Sequence, residues 1–344
     1  MIFAKKKKSP TATANRAGRS VFREVTDRII RDLERGTAPW QRPWTLLGDN
    51  AVSPFPRNAA TGTAYRGINV LLLLSAGYSD PRWCTFDQAK RKHWGVRRGE
   101  KPAAKVYFYK PNAVSEVVTE ENDDGEEVEV EKTRQVPFLC DFKVYNVEQL
   151  YGVPPLSEAF KDTVHWEPID IAEKICERSG ADIRHGGNRA YYQLSGDYVR
   201  MPLRKQFANA ADYYSVLVHE LGHWTGHPTR LHRKFGLFGD PSYAREELRA
   251  EIASAMMSAM LGLTHDPARH SSYVKSWIET LRNDKREIFR AARDAQRITD
   301  HLLQFAPELS ARPDVELDES DVTGDEPVEP DDAFADIAAM SSKR

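Results

Sequence analysis

The stretch Val216–Arg233, "VLVHELGHWTGHPTRLHR", contains the pattern H-E-x-x-H followed by two further histidines. In a helix, His219 and His223 lie four residues apart and therefore share one face. Two imidazoles on that face can bind one Zn²⁺, and Glu220 beside the first of them can polarise a water molecule. Apolar residues recur upstream at three- and four-residue steps, as in a helix with a buried back. The stretch therefore predicts a metal site on a helix.

The third ligand does not follow from this stretch alone. His227 would be a ligand only if the helix continued through Gly226 and Pro228, which are expected to end it. His232 lies beyond the proline and remains an alternative. The metzincin spacing would require a histidine at position 229, where this chain has Thr229.

A better third ligand lies in "SYAREELRAEIASAMMSAMLGL", residues 242–263. Glu251 is at the edge of an apolar helical face, among alanines, and a carboxylate packed there needs a partner. Glu247, one turn earlier, could orient a ligating histidine, while Glu246 is expected at the surface. Two histidines and Glu251 leave one coordination position open, as in catalytic zinc sites. Zn²⁺ is the expected ion, and Mn²⁺ could also occupy such a set.

The composition favours a cytoplasmic protein of two domains. The 344 residues are enough for two domains of ordinary size. The longest apolar run, which begins at Ile68, is too short to span a bilayer, so no membrane association is expected. Cys84, Cys140 and Cys176 have no metal-type spacing and are expected to be buried free thiols in a reducing compartment.

Charge is distributed unevenly along the chain. Residues 1–110 carry 22 lysines and arginines against 8 aspartates and glutamates, a net charge of +14. Residues 111–135 have a net charge of −7, and the tail from residue 312 has a net charge of −8. A basic N-terminal part with acidic segments elsewhere indicates nucleic-acid binding at one end.

The hydrophobic patterns predict an α+β protein with two domains. Helices are expected over residues 21–35, 243–262 and 271–305. A hairpin is expected just before the metal helix, and two further strands are expected to flank the acidic segment. The predicted division is a disordered basic arm (1–20), an α+β domain (21–152) with an acidic insertion (113–135), a linker (153–168), a second α+β domain (169–305) and a disordered acidic tail (306–344).

Aromatic and basic residues alternate in the first domain. Flat aromatic side chains can stack on unpaired bases while cations follow the phosphates, which favours sequence-tolerant binding of single-stranded DNA. At least half of these aromatics are expected to be core residues. Arg66 precedes Gly67 at the expected start of a helix, where backbone N–H groups could also meet a phosphate. The candidate DNA-binding residues are Trp40, Trp44, Arg66, Arg97, Arg98 and Lys101.

Both halves of the chain resemble one known family. In the first half the resemblance lies in "APWQRPW", "NAATGTAYRGINVLLL", "WCTFDQA", "GVRRGEKP" and "YNVEQLYG". In the second half it lies in "HELGHWTGHPTRLHR" and "YAREELRAEIASA". These motifs are similar to those of ArdC-type antirestriction proteins, and the first half is also similar to the N-terminal region of certain plasmid primases. The match runs from about residue 20 to residue 305, and the acidic insertion and tail depart from it.

The resemblance implies a single-stranded-DNA-binding domain joined to a zincin-like metallopeptidase domain. It implies metal ligands at His219, His223 and Glu251, with Glu220 as the catalytic acid and base. The implied role is protection of incoming mobile DNA from host restriction, and the protein substrate could be a restriction enzyme or another DNA-bound protein. Two alternatives stay open: a non-catalytic protein that coats DNA around a structural metal, and a protease for proteins bound to DNA.

Overall fold

The computed structural model describes residues 10–36, 38, 40, 54–121, 127–156, 168–237, 240–263 and 273–309. Its helices are α1 (Pro10–Glu34), α2 (Ile68–Leu74), α3 (Phe86–Arg91), α4 (Pro168–Ser179), α5 (Ala210–Trp224), α6 (Pro241–Leu261), α7 (Val274–Asn283) and α8 (Glu287–Leu303). Its strands are β1 (Arg57–Asn58), β2 (Arg82–Thr85), β3 (Gly95–Val96), β4 (Ala104–Glu121), β5 (Glu127–Asn146), β6 (Leu150–Tyr151), β7 (Asp182–His185), β8 (Tyr191–Gln193) and β9 (Tyr198–Met201). The expected α+β class is confirmed.

The chain divides into two compact units. The larger consists of Phe22–Val106 and Lys143–Val315, and the smaller of Met1–Val21, Tyr107–Phe142 and Glu316–Arg344. Residues of both predicted domains therefore belong to the larger unit. No helix among the described residues is both long enough and apolar enough to cross a membrane.

Strands of the first half form a sheet with the order β1-β2-β5-β4. Strand β2 pairs in parallel with β1 and antiparallel with β5, where Trp83 lies opposite Asn146. The two strands expected to flank the acidic segment are present and extend into it, since β4 continues to Glu121 and β5 begins at Glu127. The Asp-Gly pair at Asp124–Gly125 predicts a turn between these strands, and it lies outside the described residues.

Within the larger unit, α1 packs against the C-terminal helices. The rings of Phe22 and Phe289 meet edge to face with centroids 4.7 Å apart, and Thr26 Oγ1 donates a 2.7 Å hydrogen bond to the Lys285 carbonyl. These contacts join residues more than 250 positions apart, so the two halves of the sequence share one core.

The metal helix forms as its sequence predicts. Its N-cap is Asn209, whose side chain accepts a 2.9 Å hydrogen bond from the Asp212 backbone N–H. The helix ends at Trp224, just before Gly226. On one side it packs against α6, where Gly222 lies against Ala250 and the two backbones approach closely. On the other side lies a sheet of order β7-β9-β8, in which the expected hairpin β8–β9 is confirmed.

Three expectations from the sequence are wrong. The segment 271–305 forms two helices instead of one, because the Asp284 side chain accepts the Arg286 backbone N–H at 2.9 Å and caps a turn between α7 and α8. Helix α1 begins at Pro10, inside the arm expected to be disordered. Cys140 is half-buried, whereas Cys84 and Cys176 are buried as expected.

Candidate metal centre

The two histidines of H-E-x-x-H face the carboxylate of Glu247 on α6. Nε2 of His219 lies 3.8 Å from Glu247 Oε2, and Nε2 of His223 lies 3.5 Å from Glu247 Oε1. One donor atom from each of the three residues lies within 4.8 Å of the others. All three side chains are buried. The structure thus brings two imidazoles and one carboxylate to a single point.

The opposite ring nitrogens face two other glutamates of α6. His219 Nδ1 lies 3.7 Å from Glu251 Oε2, and His223 Nδ1 lies 3.3 Å from Glu246 Oε1. A carboxylate behind a histidine orients the ring and increases its basicity toward a metal. Glu251 therefore lies on the side of the His219 ring opposite to Glu247.

Glu246 is anchored in turn by Arg233, which follows the metal helix. The guanidinium of Arg233 donates to both carboxylate oxygens, at 2.8 and 3.1 Å, and also to the Gly222 carbonyl at 2.7 Å. A Cβ at Gly226 would lie 2.8 Å from this guanidinium and 2.7 Å from the Phe235 ring, so the glycine leaves room for it. Glu246 is 3% exposed, and the expectation of a surface glutamate is wrong because Arg233 and His223 both engage it.

Glu220, the candidate acid and base, is buried beside the sheet. Burial is the largest cause that raises the pKa of Glu220 to about 7, and Glu247 acts in the same direction. His223 and the backbone N–H of Tyr192 act in the opposite direction. Because Tyr192 belongs to the edge strand β8, this hydrogen bond places the carboxylate next to a sheet edge.

Two tyrosine hydroxyls lie near the same carboxylates. The hydroxyl of Tyr243 hydrogen-bonds Glu247 and lies 3.2 Å from the hydroxyl of Tyr273. Burial raises the pKa of Tyr273, and the negative charges of Glu247 and Glu220 raise it further. Both hydroxyls therefore keep their protons near neutral pH and can act as hydrogen-bond donors.

The charges around the histidines suit a bound cation. Four glutamates near the histidines are at least 92% buried, namely Glu220, Glu246, Glu247 and Glu251. Arg233 pairs with one of them, Glu246. Burial would lower the pKa of His223, but Glu247, Glu246 and Glu220 raise it to about 9. Two imidazoles and a carboxylate are also ligands that Zn²⁺ accepts. The residues therefore fit a divalent metal.

The other histidines considered as third ligands lie elsewhere. His227 Nδ1 lies 2.7 Å from Thr229 Oγ1 and 3.9 Å from Asp197 Oδ2. His232 is exposed, with Nδ1 3.3 Å from the Pro228 carbonyl. Neither belongs to the cluster around His219, His223 and Glu247.

Of the candidate DNA-binding residues, Trp40 and Arg66 have partners within the protein. Trp40 is 0% exposed and packs edge to face on Trp277, so the expectation that it contacts DNA is wrong: it has no free face on which a base could stack. Arg66 is exposed and pairs with Asp300 of α8 at 2.5 Å. The backbone N–H of Gly67, expected to meet a phosphate, donates to Gln296 at 3.1 Å.

The remaining candidates lie on the surface of the first half or outside the described residues. Arg97, Arg98 and Lys101 are exposed around strand β3 and the turn that follows it. Trp44 lies outside the described residues. Most of the other aromatics of this region that are described, such as Tyr65 and Trp83, are buried as expected for core residues.

Four residues near the metal centre were not predicted from the sequence. They are Arg233, Tyr192, Tyr243 and Tyr273. A signal existed for Arg233, since it lies in the same stretch as H-E-x-x-H and Gly226, against which it packs, occupies the metzincin glycine position without a ligand at Thr229. No comparable signal marks Tyr273, the residue just before helix α7, which lies about 50 residues after His223.

Family profiles match both halves of the chain. The profile described as the N-terminal domain of anti-restriction factor ArdC matches residues 19–145. The profile described as zincin-like metallopeptidase matches residues 170–294.

Solved structures and curated proteins show the same likeness. The antirestriction ArdC protein from plasmid R388 in its Mn(II)-bound structure is 37% identical, with a TM-score of 0.63 over 83% of this chain and 97% of that chain. Its metal-free structure gives a TM-score of 0.62. Protein y4eC of Sinorhizobium fredii is 38% identical over 81% of this chain and 90% of its own length. A DNA primase TraC of Escherichia coli is 44% identical over 82% of this chain, which spans only 27% of the primase.

Proposed function

Because the chain belongs to the ArdC family of antirestriction proteins, we propose that it protects mobile DNA in the cytoplasm by binding single strands and cleaving a protein. The observation that supports cleavage is the position of Glu220 beside His219, His223 and Glu247 and next to a sheet edge. The observation that supports DNA binding is the net charge of +14 over residues 1–110.

We assign the metal ligands to His219, His223 and Glu247. Both Nε2 atoms face the Glu247 carboxylate, whereas Glu251 faces Nδ1 of His219 and is better placed to orient that ring. A divalent ion held by these groups would supply Lewis-acid activation of a water molecule and of the scissile carbonyl. The Mn(II)-bound structure of the R388 protein supports Mn²⁺ beside Zn²⁺ as candidates.

The protein's own groups provide the proton transfers. Glu220 accepts a proton from the attacking water and delivers it to the leaving amine. Burial raises the pKa of Glu220, which favours its acceptance of a proton from water. The hydroxyl of Tyr273 is a candidate donor to the oxygen that gains negative charge, because this tyrosine lies near Glu220 and Glu247.

Strand β8 is suited to holding the peptide. It lies at the edge of its three-stranded sheet, so the outer main-chain groups other than the Tyr192 N–H, which donates to Glu220, can pair with an extended chain. The Arg230 guanidinium donates to Asp197 Oδ2 at 3.1 Å, and Asp197 Oδ1 accepts a 2.8 Å hydrogen bond from the hydroxyl of Tyr192 in β8. Arg230 thereby fixes the position of this strand. A peptide paired with β8 would pass in front of Glu220.

The direct test is incubation of metal-loaded protein with restriction enzymes, with and without single-stranded DNA. Fragments should appear with the wild-type protein and be absent with Glu220→Gln. Intact enzymes in every reaction, together with DNA binding, would favour the alternative of a protein that protects DNA by coating it. No primase activity is proposed, since the chain spans about a quarter of the primase it resembles.

A further inference from the structure

Two of the sequence motifs in the first half meet on one surface. Strands β3 and β6 pair antiparallel, with Gly95 opposite Tyr151 and Val96 opposite Leu150. Beyond Val96 the ladder continues, because the Arg97 backbone N–H donates to the Gln149 carbonyl at 2.9 Å. "GVRRGEKP" and "YNVEQLYG" therefore lie side by side.

The ring of Tyr151 lies flat across Gly95. A Cβ at Gly95 would lie 2.0 Å from Tyr151 Cζ and 2.2 Å from its hydroxyl oxygen, so any side chain there would displace the ring from this position. Tyr151 is nevertheless 60% exposed. One face of the ring is supported by backbone while much of the side chain remains open to solvent.

This arrangement is poorly explained by packing alone. Leu150, the residue before Tyr151, is 2% exposed and belongs to a core cluster with Cys84 and Ala89. The strand is therefore anchored without the tyrosine. A ring that is held in place but exposed is suited to contact with another molecule.

Cations flank Gly95 in sequence, and one of them, Arg97, also lies near strand β6 in space. Residues 90–101 contain six exposed cations and one acidic residue, Glu100; the cations are Lys90, Arg91, Lys92, Arg97, Arg98 and Lys101. The Glu100 carboxylate accepts a 2.7 Å hydrogen bond from Gln149 Nε2. Arg97 Nε donates to the Glu148 carbonyl at 3.2 Å, which holds this guanidinium near strand β6.

We propose that Tyr151, supported by Gly95 and flanked by Arg97 and Arg98, is a stacking platform for an unpaired base of single-stranded DNA. Every base has a flat face, so stacking tolerates any sequence, and the cations contact phosphates without reading bases. A duplex offers its phosphates to these cations but keeps its base faces inside the stack. The platform therefore distinguishes single strands from duplexes.

This inference rests on the proposed binding of single-stranded DNA, and the experiment separates the two. Full-length protein is titrated against a labelled 20-nucleotide oligothymidine and against a duplex of the same length, with fluorescence anisotropy as the readout. Absence of oligothymidine binding by wild-type protein would refute the proposed DNA-binding function itself. Wild-type binding that is unaffected by Tyr151→Ala would refute the platform alone.

Tyr151→Ala should weaken oligothymidine binding by about 5- to 150-fold, the range for loss of one stacked base. Tyr151→Phe keeps the ring and should bind as wild type does, which controls for folding. Gly95→Ala should also weaken binding, because its methyl group displaces the ring. Duplex affinity should change little in these variants, and an equal loss for single and double strands would contradict stacking.

The flanking cations are tested by salt dependence. Replacing Arg97 and Arg98 together by alanine should reduce the slope of log Kd against log salt by about 0.7 for each lost phosphate contact. Lys275→Ala removes an exposed cation from α7 and should leave the slope unchanged. Competition by polyglutamate as effective as that by oligothymidine would instead assign the surface to an acidic protein and overturn the proposal.

Discussion

Arg233 holds Glu246 through two hydrogen bonds, and Glu246 lies 3.3 Å from Nδ1 of His223. The arginine follows the metal helix by nine residues, whereas the glutamate belongs to α6. One guanidinium therefore ties together the histidine helix, the loop after it and the helix that carries the other candidate ligand. The "HPTRLHR" segment is explained by this role without any further metal ligand in it.

Arg233→Met should weaken metal binding by about 10- to 100-fold, the usual effect of losing a residue that orients a ligand's partner. The cause is that Glu246 would lose its anchor and His223 its fixed orientation. Competition with a chromophoric chelator measures the Kd for Zn²⁺ and Mn²⁺. Arg204→Met, which breaks an exposed pair with Glu173, is the matched control and should bind metal normally. An unchanged Kd in folded Arg233→Met protein would show that Arg233 does not position the site.

Substitutions at two glutamates of α6, one helical turn apart, test the identity of the third metal ligand. Glu247→Ala should abolish stoichiometric metal binding, whereas Glu251→Ala should leave a weakened site, because Glu251 faces the opposite side of His219. Metal content is measured after dialysis, and Glu148→Ala, a surface glutamate of the first half, is the control. Full metal content in Glu247→Ala with none in Glu251→Ala would restore the assignment made from sequence.

The ambiguity between these glutamates shows what the sequence could and could not predict. The spacing of His219 and His223 places both on one face of any helix, so the histidine pair could be predicted from a pattern of five residues. Glu247 and Glu251 are also four apart, and periodicity places both on the same face of α6. Which of them meets Nε2 depends on how the two helices are packed, and this packing depends on contacts such as Gly222 against Ala250.

The same limit applies to the first half of the chain. Helix capping is local and can be predicted from the sequence, as at Thr85, whose Oγ1 accepts the Gln88 backbone N–H at 3.2 Å and caps α3. The role of Trp40 could not be predicted in this way, because its partner Trp277 lies 237 positions later in the sequence. From the sequence alone, a tryptophan among arginines indicates a DNA contact. Only the folded structure shows that a residue distant in sequence buries it.

The shared core predicts that the halves do not fold well apart. A fragment of residues 1–150 would expose Phe22, which loses Phe289, and Trp40, which loses Trp277. Exposed aromatic patches of this kind promote aggregation. We expect the fragment to be largely insoluble alone and soluble when coexpressed with residues 153–344, with which it should copurify. A soluble, monomeric 1–150 fragment with a cooperative thermal transition would contradict this expectation.

The three cysteines should differ in reactivity. Burial raises the pKa of Cys84 to about 11 and is the largest cause that raises the pKa of Cys176 to about 12. The thiolate is the reactive form, so neither should react at pH 8 in the folded protein. Iodoacetamide followed by peptide mass spectrometry should find Cys140, which is half-buried, labelled first. Labelling in denaturant should reach all three, and early labelling of Cys84 in native protein would argue against its burial.

The last prediction separates proteolysis from coating. Glu220→Gln is nearly isosteric and does not remove a proposed ligand, so the protein should keep its fold, its metal and its affinity for oligothymidine. It removes the group that accepts the proton of water, which typically contributes about 10²–10⁴-fold to the rate. Cleavage of a protein target should therefore fall below detection.

The same variant is then compared with Tyr151→Ala in a DNA-transfer assay against a restricting recipient cell. If cleavage provides the protection, Glu220→Gln should lose it although it binds DNA normally. If coating is sufficient, Glu220→Gln should protect as well as wild type, while Tyr151→Ala should protect poorly. We expect DNA binding to make the larger contribution, since the basic surface can shield a strand without any cleavage. Full loss of protection in Glu220→Gln with unchanged DNA affinity would reverse that expectation and make the metal centre the source of protection.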